Sequence, residues 1–290
     1  MSSRGTTAPR LPAAVARALR CSVCHAPFEA PGNGLRCGRG HSFDAAKQGY
    51  VNLLHAKVAA GTADTTEMVA ARTAFLGSGF YAPLAGLLAD SVPGEPDLVV
   101  DAGAGTGYYL ARVLDRFAAA TGLALDVSAA ALRKAAKAHP RAGAIGWNLW
   151  EPWPVADATA DVVLNVFAPR NAAEFHRVLC PDGVLLVAGP ASGHLGELAS
   201  TLGLLDAESG KEKRLGATLG SHFELVSRRE TTHAAELTAE QVRHVVTMGP
   251  NAHHLHRDGL GERLAELTAS MTGTLTVTTS FHVSAYRRSP

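Results

Sequence analysis

Leu98-Val99-Val100-Asp101-Ala102-Gly103-Ala104-Gly105-Thr106-Gly107-Tyr108-Tyr109 is the stretch on which the fold turns. Leu98 to Val100 form the short apolar run of a buried strand, which stops on an acid and breaks into glycines. Leu110, Val113, Leu114 and Phe117 then follow at the spacing of one helix face. Gly103, Gly105 and Gly107 carry no Cβ, so the backbone can turn sharply there and a ligand can come close. Strand, glycine turn and helix N-terminus together form a cradle of the nucleotide-binding kind.

Spacing narrows the ligand. The glycines run G-x-G-x-G, and Tyr108 stands where a dinucleotide fingerprint has its third glycine. Asp101 at the strand end would repel a pyrophosphate and suits a cationic aminoacyl group. A second strand, Gly122-Leu123-Ala124-Leu125-Asp126, ends on an acid placed to bind ribose hydroxyls. The pattern resembles the S-adenosylmethionine (SAM) site of class I methyltransferases; the residues taken alone also allow an ordinary tight turn in another α/β protein.

At 290 residues, with 47% hydrophobic and 18% charged side chains, the chain is long and apolar enough for a folded core in one or two domains. No apolar run reaches the length of a membrane span. Four arginines and no acid precede Cys21, without the apolar core of a secretory signal, so a cytoplasmic protein is expected. Residues 1–60 hold eight Lys/Arg against two Asp/Glu, which leaves 19 against 24 of the chain's 27 and 26 for the remainder. A basic N-terminal segment on a mildly acidic body suits contact with a polyanion at one end, or else a solvated tail; residues 1–20 are expected to be mobile.

Cys21, Cys24, Cys37 and His41 read C-x2-C-x12-C-x3-H, the ligand types and spacing of a tetrahedral structural Zn²⁺; free thiols or a disulfide are the alternatives. Pro31-Gly32-Asn33-Gly34 supplies the turn between the two knuckles. This segment has too few apolar residues for a core of its own, so the metal would contribute the folding energy. Four protein ligands leave no open position, which argues against catalysis by the metal.

The organisation expected is a zinc-binding RNA-recognition domain over 1–60, a helical connector over 61–96 and a methyltransferase domain over 97–290. Asp64 to Leu76 reads as a capped helix and Gly79-Phe80-Tyr81-Ala82-Pro83-Leu84 opens another. Strands are predicted near 97–102, 122–127, 142–147, 161–167 and 183–189, with helices near 106–119, 128–139, 171–179 and 194–204. Strands near 222–232 and 273–285, with helices around 239–248 and 259–268, complete a seven-stranded, Rossmann-like α/β sheet.

With these residues in hand, the chain resembles the RlmA/TlrB family of 23S rRNA (guanine-N1)-methyltransferases along nearly its whole length. The most specific parts are the C-x2-C-x12-C-x3-H set, AKQGYVNLL within Phe43 to Leu54, and TTEMVAARTAFLGSGFYAPL. The NVFAPRN segment brings it closer to the TlrB type, associated with resistance to tylosin-like macrolides. The resemblance implies a zinc module that helps dock a 23S rRNA hairpin loop at the peptide exit tunnel, and a homodimer. It implies Cys21, Cys24, Cys37 and His41 as zinc ligands, and Tyr81 and His194 as SAM contacts. Gly107, Tyr108, Tyr109 and Leu110 would meet the methionine part, beside Asp101, Gly103, Gly105, Thr106 and Asp126. The chain departs from many methyltransferases at Asn148, where an acid usually faces the adenine amino group; an amide can still accept that hydrogen bond.

Methyl transfer needs in-line placement of nucleophile, methyl and sulfur, and exclusion of water. Guanine N1 must also lose a proton. The loop Asn165-Val166-Phe167-Ala168-Pro169-Arg170-Asn171 is predicted at the carboxyl edge of the sheet. There Phe167 stacks on an extruded base or packs in the core, Arg170 holds O6 or phosphate or makes a surface ion pair, and Asn165 or backbone groups read the Watson–Crick edge. The loop holds no carboxylate, and no general base is assigned. His253, His254 and His256 lack the acid or thiol partners of a metal site, and lone Cys180 reads as a small filler. Two other functions stay open: a SAM enzyme acting on another RNA, a protein or a small molecule, and a zinc-dependent RNA-binding protein with an inactive methyltransferase domain.

Overall fold

The computed structural model describes residues 11–29, 33–55, 63–204, 219–249, 251–252, 255 and 259–289. In chain order these form α1 (Ala13–Ala18), β1 (Phe28–Glu29), β2 (Gly34–Cys37), β3 (Ser42–Asp44), β4 (Val51–Asn52), α2 (Thr66–Gly77) and α3 (Ala82–Ala89). Next come β5 (Leu98–Ala102), α4 (Tyr108–Arg116), β6 (Thr121–Asp126), α5 (Ala129–Ala135), β7 (Ala142–Gly146), β8 (Ala160–Val166), α6 (Ala172–Val178) and β9 (Leu179–Pro190). The chain continues through α7 (Gly196–Leu202), β10 (Phe223–Leu237), α8 (Ala239–Thr247), α9 (Leu260–Ser270) and β11 (Leu275–Arg288). Among them no helix is long and apolar enough to cross a membrane.

The main sheet runs β10-β11-β9-β8-β5-β6-β7-β4, parallel from β4 to β9 and antiparallel only where β11 meets β9 and β10. β5 lies between β6 and β8, so the strand order reverses there and a crevice opens at the carboxyl ends, where such sheets bind ligands. Burial alternates along β5: Val99 faces a core with α2, α3 and α4, while Leu98 and Val100 face another with α1 and α6. Both faces are covered, which is why the strand reads as a continuous apolar run.

The seven expected strands are all present, and an eighth joins them. Val51 and Asn52, inside the segment expected to form a separate zinc domain, pair in parallel with Ile145 and Gly146 of β7. Two residues are too few for a readable period. A Cβ at Gly146 would stand 2.6 Å from Asn52 Oδ1, so glycine there leaves room for the Asn52 side chain. Mobility of residues 1–20 does not hold for residues 11–20. Val15, Ala16, Ala18 and Leu19 are buried in one core with Leu123, Leu125 and Ile145, and the Arg20 amide donates to Pro154 O at 3.0 Å. The apolar face of α1 is short, but the bare end of the sheet completes it. The expected division at 60/61 falls in residues 56–62, outside the described residues, as do Pro31, Gly32, His253, His254 and His256.

β10 extends beyond the predicted 222–232, through His233-Ala234-Ala235-Glu236-Leu237. That run has helical composition, but pairing with β11 along its whole length overrides it. α4 begins later than the predicted 106, because Gly107 at its N-cap holds a left-handed φ of 77°.

Candidate active site

The glycine turn sits at the carboxyl end of β5. Gly103 has φ 81°, and a Cβ there would stand 2.5 Å from the Ala168 Cβ. Turn and β8 loop therefore touch only because residue 103 has no side chain. The amides of Gly103 and Ala104 both donate to Leu125 O, and that of Gly107 to Ala104 O. The Gly105 amide donates to Asp126 Oδ2 at 2.8 Å, and Ser128 N donates to Asp126 Oδ1 at 2.8 Å. Asp126 thus braces the turn, and burial raises its pKa.

Asp101 is 1% exposed and neither carboxylate oxygen has a hydrogen-bond partner. Burial, then the charge of Asp126, pushes its pKa up to about 8. An unpartnered buried carboxylate is costly and calls for a cation. The ammonium of an aminoacyl ligand beside the turn supplies one, so the residues present fit SAM. Thr106 is buried in the turn, and Tyr108 and Tyr109 carry buried hydroxyls without partners. Leu110 points elsewhere. Its side chain packs toward β6, with Cδ1 and Cδ2 each 3.0 Å from where a Cβ on Gly122 would lie, so only its backbone can meet a ligand.

Tyr81 and His194, far apart in sequence, meet at 3.1 Å between Oη and Nε2. The Ser280 amide donates to His194 Nδ1 at 3.2 Å, which places the ring proton on Nε2, donating to Tyr81. Burial lowers the His194 pKa to about 4, so the ring is neutral at pH 7. The Tyr81 hydroxyl proton remains available to a ligand.

Phe281 of β11 packs against both, its ring centre 4.6 Å from Tyr81 and 4.7 Å from His194. Phe167 completes the wall at 6.2 Å from Phe281 and 6.4 Å from Tyr109. Phe167 is 47% exposed and holds a left-handed φ of 52°, strained for an aromatic residue and typical of functional turns. The core-packing alternative for Phe167 is therefore set aside.

The other loop residues diverge. Asn165 is fully buried; its Nδ2 donates to Pro169 O at 2.8 Å and to Ala102 O at 3.4 Å, while Oδ1 has no partner. Its donor end holds the loop, leaving the acceptor. Arg170 is partly buried, its Nε lacks a partner, and burial lowers its pKa. Tyr286, the group that acts on it, packs in the core opposite the one that holds Phe281. Asn148 is occupied locally: Oδ1 accepts from Trp150 N at 3.1 Å and Nδ2 donates to Glu151 Oε1 at 3.0 Å. Cys180 lies at the start of β9 and donates to Ala158 O, as a filler does.

Two residues here gave no warning in sequence. Phe281 lay in an alternating strand like its neighbours. Arg72, inside the quoted TTEMVAARTAFL run, reaches from α2 to pair with Asp64 and donates from Nη2 to Met248 O at 2.7 Å.

The ligand atoms of Cys21, Cys24, Cys37 and His41 lie within 4.8 Å of one another. Cys24 and Cys37 sulfurs are 3.7 Å apart, and His41 Nδ1 is 3.5 Å from Cys21 Sγ and 3.4 Å from Cys37 Sγ. A tetrahedral Zn²⁺ with its usual bond lengths requires edges of about 3.8 Å between sulfurs and about 3.5 Å between sulfur and nitrogen. The set fits the metal, with His41 ligating through Nδ1. Gly40, at φ 88°, turns the second knuckle.

Comparison with known proteins agrees with both halves. Residues 19–58 match the zinc-ribbon family model "RlmA, N-terminal", and residues 99–183 match a methyltransferase domain model. The chain is 48% identical, over 91% of its length and 96% of the relative's, to the 23S rRNA (guanine(748)-N(1))-methyltransferase of Streptomyces fradiae. It is 47% identical, over 93% and 97%, to a Micromonospora griseorubida protein provisionally named a 23S rRNA (guanine-N(1)-)-methyltransferase.

Proposed function

Because the chain belongs to the family of 23S rRNA (guanine-N1)-methyltransferases, we propose that it methylates N1 of a guanine in a 23S rRNA hairpin loop at the peptide exit tunnel. Resistance to tylosin-type macrolides is the biological consequence, and the cytoplasm, where ribosomes are, is the place. The observation that carries the reading is the orphaned Asp101 carboxylate under the glycine turn, in a chain that shares nearly half its residues with such enzymes.

When bound, SAM supplies a methyl group made electrophilic by its sulfonium. The residues of this chain do the rest. Asp101 receives the cationic end, the turn admits the ligand, and Tyr81 offers a hydroxyl proton oriented by His194. Phe167 stacks on the extruded guanine, with Tyr81, Tyr109 and Phe281 excluding water behind it. With SAM bound, its methyl would pass to guanine N1, S-adenosylhomocysteine would be the leaving group, and the N1 proton would pass to solvent water. His194 does not take that proton, since Nδ1 is bonded to Ser280 and Nε2 already carries hydrogen.

The segment after β7 joins this pocket to the zinc module. Leu149 lies 3.5 Å from the Cβ position of Gly103, and residues 154–156 bond to Ala18 and Arg20. Between them Trp150 is 66% exposed. RNA held by the basic zinc module reaches the pocket over Trp150, which offers a stacking face. The homodimer that the resemblance implies is part of the same reading.

Primer extension on 23S rRNA tests it, because a methyl at N1 blocks base pairing. Protein with SAM is expected to produce a stop at a hairpin-loop guanine, absent without SAM. Tritiated methyl found in protein or small-molecule fractions and not in rRNA would overturn the reading.

A further inference from the structure

The guanidinium of Arg72 lies directly on the glycine turn: Nη1 is 3.3 Å from where a Cβ on Gly105 would be. Nothing in the local sequence requires an arginine there, because α2 caps itself with Thr65 and buries Met68, Val69, Phe75 and Leu76 on its own face. The guanidinium is held in place from outside the helix. Asp64 pairs with Nη1, Met248 O accepts from Nη2, and Ser128 Oγ donates to Asp64 O at 2.8 Å, tying the start of α2 to the end of β6. Among the described residues, two of its five N–H donors are used by these partners.

The charges of the cradle show what it lacks. Asp101, Asp126 and Asp64 place three carboxylates around the turn. These suit the sulfonium and ammonium of SAM, but they repel the carboxylate of the same ligand. Backbone amides often hold such an anion at a glycine turn. Here the amides of Gly103, Ala104, Gly105 and Gly107 all donate to acceptors within the chain. The amides at the start of α4 remain as neutral donors, but an anion set among three carboxylates gains most from a cation, and among the described residues these contacts place Arg72 against the turn.

We propose that Arg72 binds the carboxylate of the methionine part of SAM, its guanidinium lying against Gly105 and held there by Asp64 and Met248. The inference rests on the SAM reading above. A planar guanidinium gives a carboxylate two parallel N–H donors, which a lysine at the same place cannot do.

Calorimetric titration of the full chain with SAM, S-adenosylhomocysteine and 5′-methylthioadenosine tests this, because the last ligand lacks the amino-acid portion. Arg72→Met is expected to weaken SAM and S-adenosylhomocysteine about 10- to 100-fold, the range for a charged hydrogen bond, and methylthioadenosine less than about threefold. Arg72→Lys is expected to fall between. Equal weakening of all three ligands would mean that Arg72 only positions α2, and unchanged SAM affinity would mean that it does neither; either result overturns the inference. Methylthioadenosine binding also reports that the variant is folded. A wild-type chain that binds no SAM overturns the cofactor reading and this inference together, whereas a wild type that binds it and a variant that binds it equally overturn the inference alone.

Discussion

Replacing Asp101 with Asn separates the two consequences of burying a carboxylate without a partner. With a pKa of about 8, Asp101 is protonated in most ligand-free molecules at pH 7 and pairs with an ammonium only after losing that proton. SAM binding therefore releases about 0.9 proton per site at pH 7, and the affinity rises about tenfold between pH 6 and pH 7 as the ionised fraction climbs from about 1% to about 9%. Stability moves the opposite way. A carboxyl whose folded pKa is raised from 3.8 to about 8 costs nothing below pH 4, costs progressively more from pH 4 to pH 8, and exacts its full penalty above that. At about 1.4 kcal/mol per unit the ceiling is roughly 6 kcal/mol, of which about 5 is reached at pH 8, and the buried amide that replaces it costs about 1–3 kcal/mol itself. Asp101→Asn is thus expected to stabilise the ligand-free chain by about 2–4 kcal/mol at pH 8 and to destabilise it by about 0.5–2.5 kcal/mol at pH 4. It should bind SAM at least tenfold more weakly, without proton release. Titration calorimetry in two buffers of different ionisation enthalpy counts the protons, and urea melts at the two pH values give the stabilities. Wild-type binding without proton release at pH 7, or a variant no more stable at pH 8, would refute the placement of Asp101 as an uncompensated acid.

Other outcomes follow from the same structure. Chelating zinc, or Cys24→Ser, is expected to lower the melting temperature of the whole chain by about 10 °C or more in a single transition, because α1 and β4 share a core with the main sheet; two separate transitions would show an independent module. Phe167→Gly relieves a left-handed aromatic residue, so a gain of about 1 kcal/mol in urea melts should accompany a loss of rRNA methylation of tenfold or more, with SAM affinity unchanged; unimpaired methylation would remove Phe167 from the guanine site. Trp150→Ala should weaken rRNA binding about tenfold in a gel-shift titration and leave SAM binding alone, as loss of one stacked base does; unaltered RNA affinity would move the RNA path elsewhere.

Short-range patterns carried much of this protein. The run from Leu98 to Tyr109 encodes strand, turn and helix within a dozen residues, so hydrophobic period and glycine placement reveal β5, the cradle and α4 together. The zinc ligands are as legible, because each knuckle brings its pair together locally and only the joining of the two pairs needs the fold. Burial of Asp101 and the opposed faces of β5 follow from the same apolar run.

What sequence spacing left undetermined lies in contacts between residues far apart along the chain. Val51 and Asn52 gain their strand only because β7 presents Gly146 at a free edge. Arg72 becomes part of the cradle through a carbonyl 176 residues away, and the aromatic wall unites Tyr81, Phe167, His194 and Phe281 from four separate elements. Leu110 and Asn148 stood at the right positions in the motif, yet packing turned one into the core and a local turn engaged the other. Chain-local forces set which residues form strand, turn and knuckle; which side chains face the ligand was decided when the sheet closed and distant segments competed for the same space.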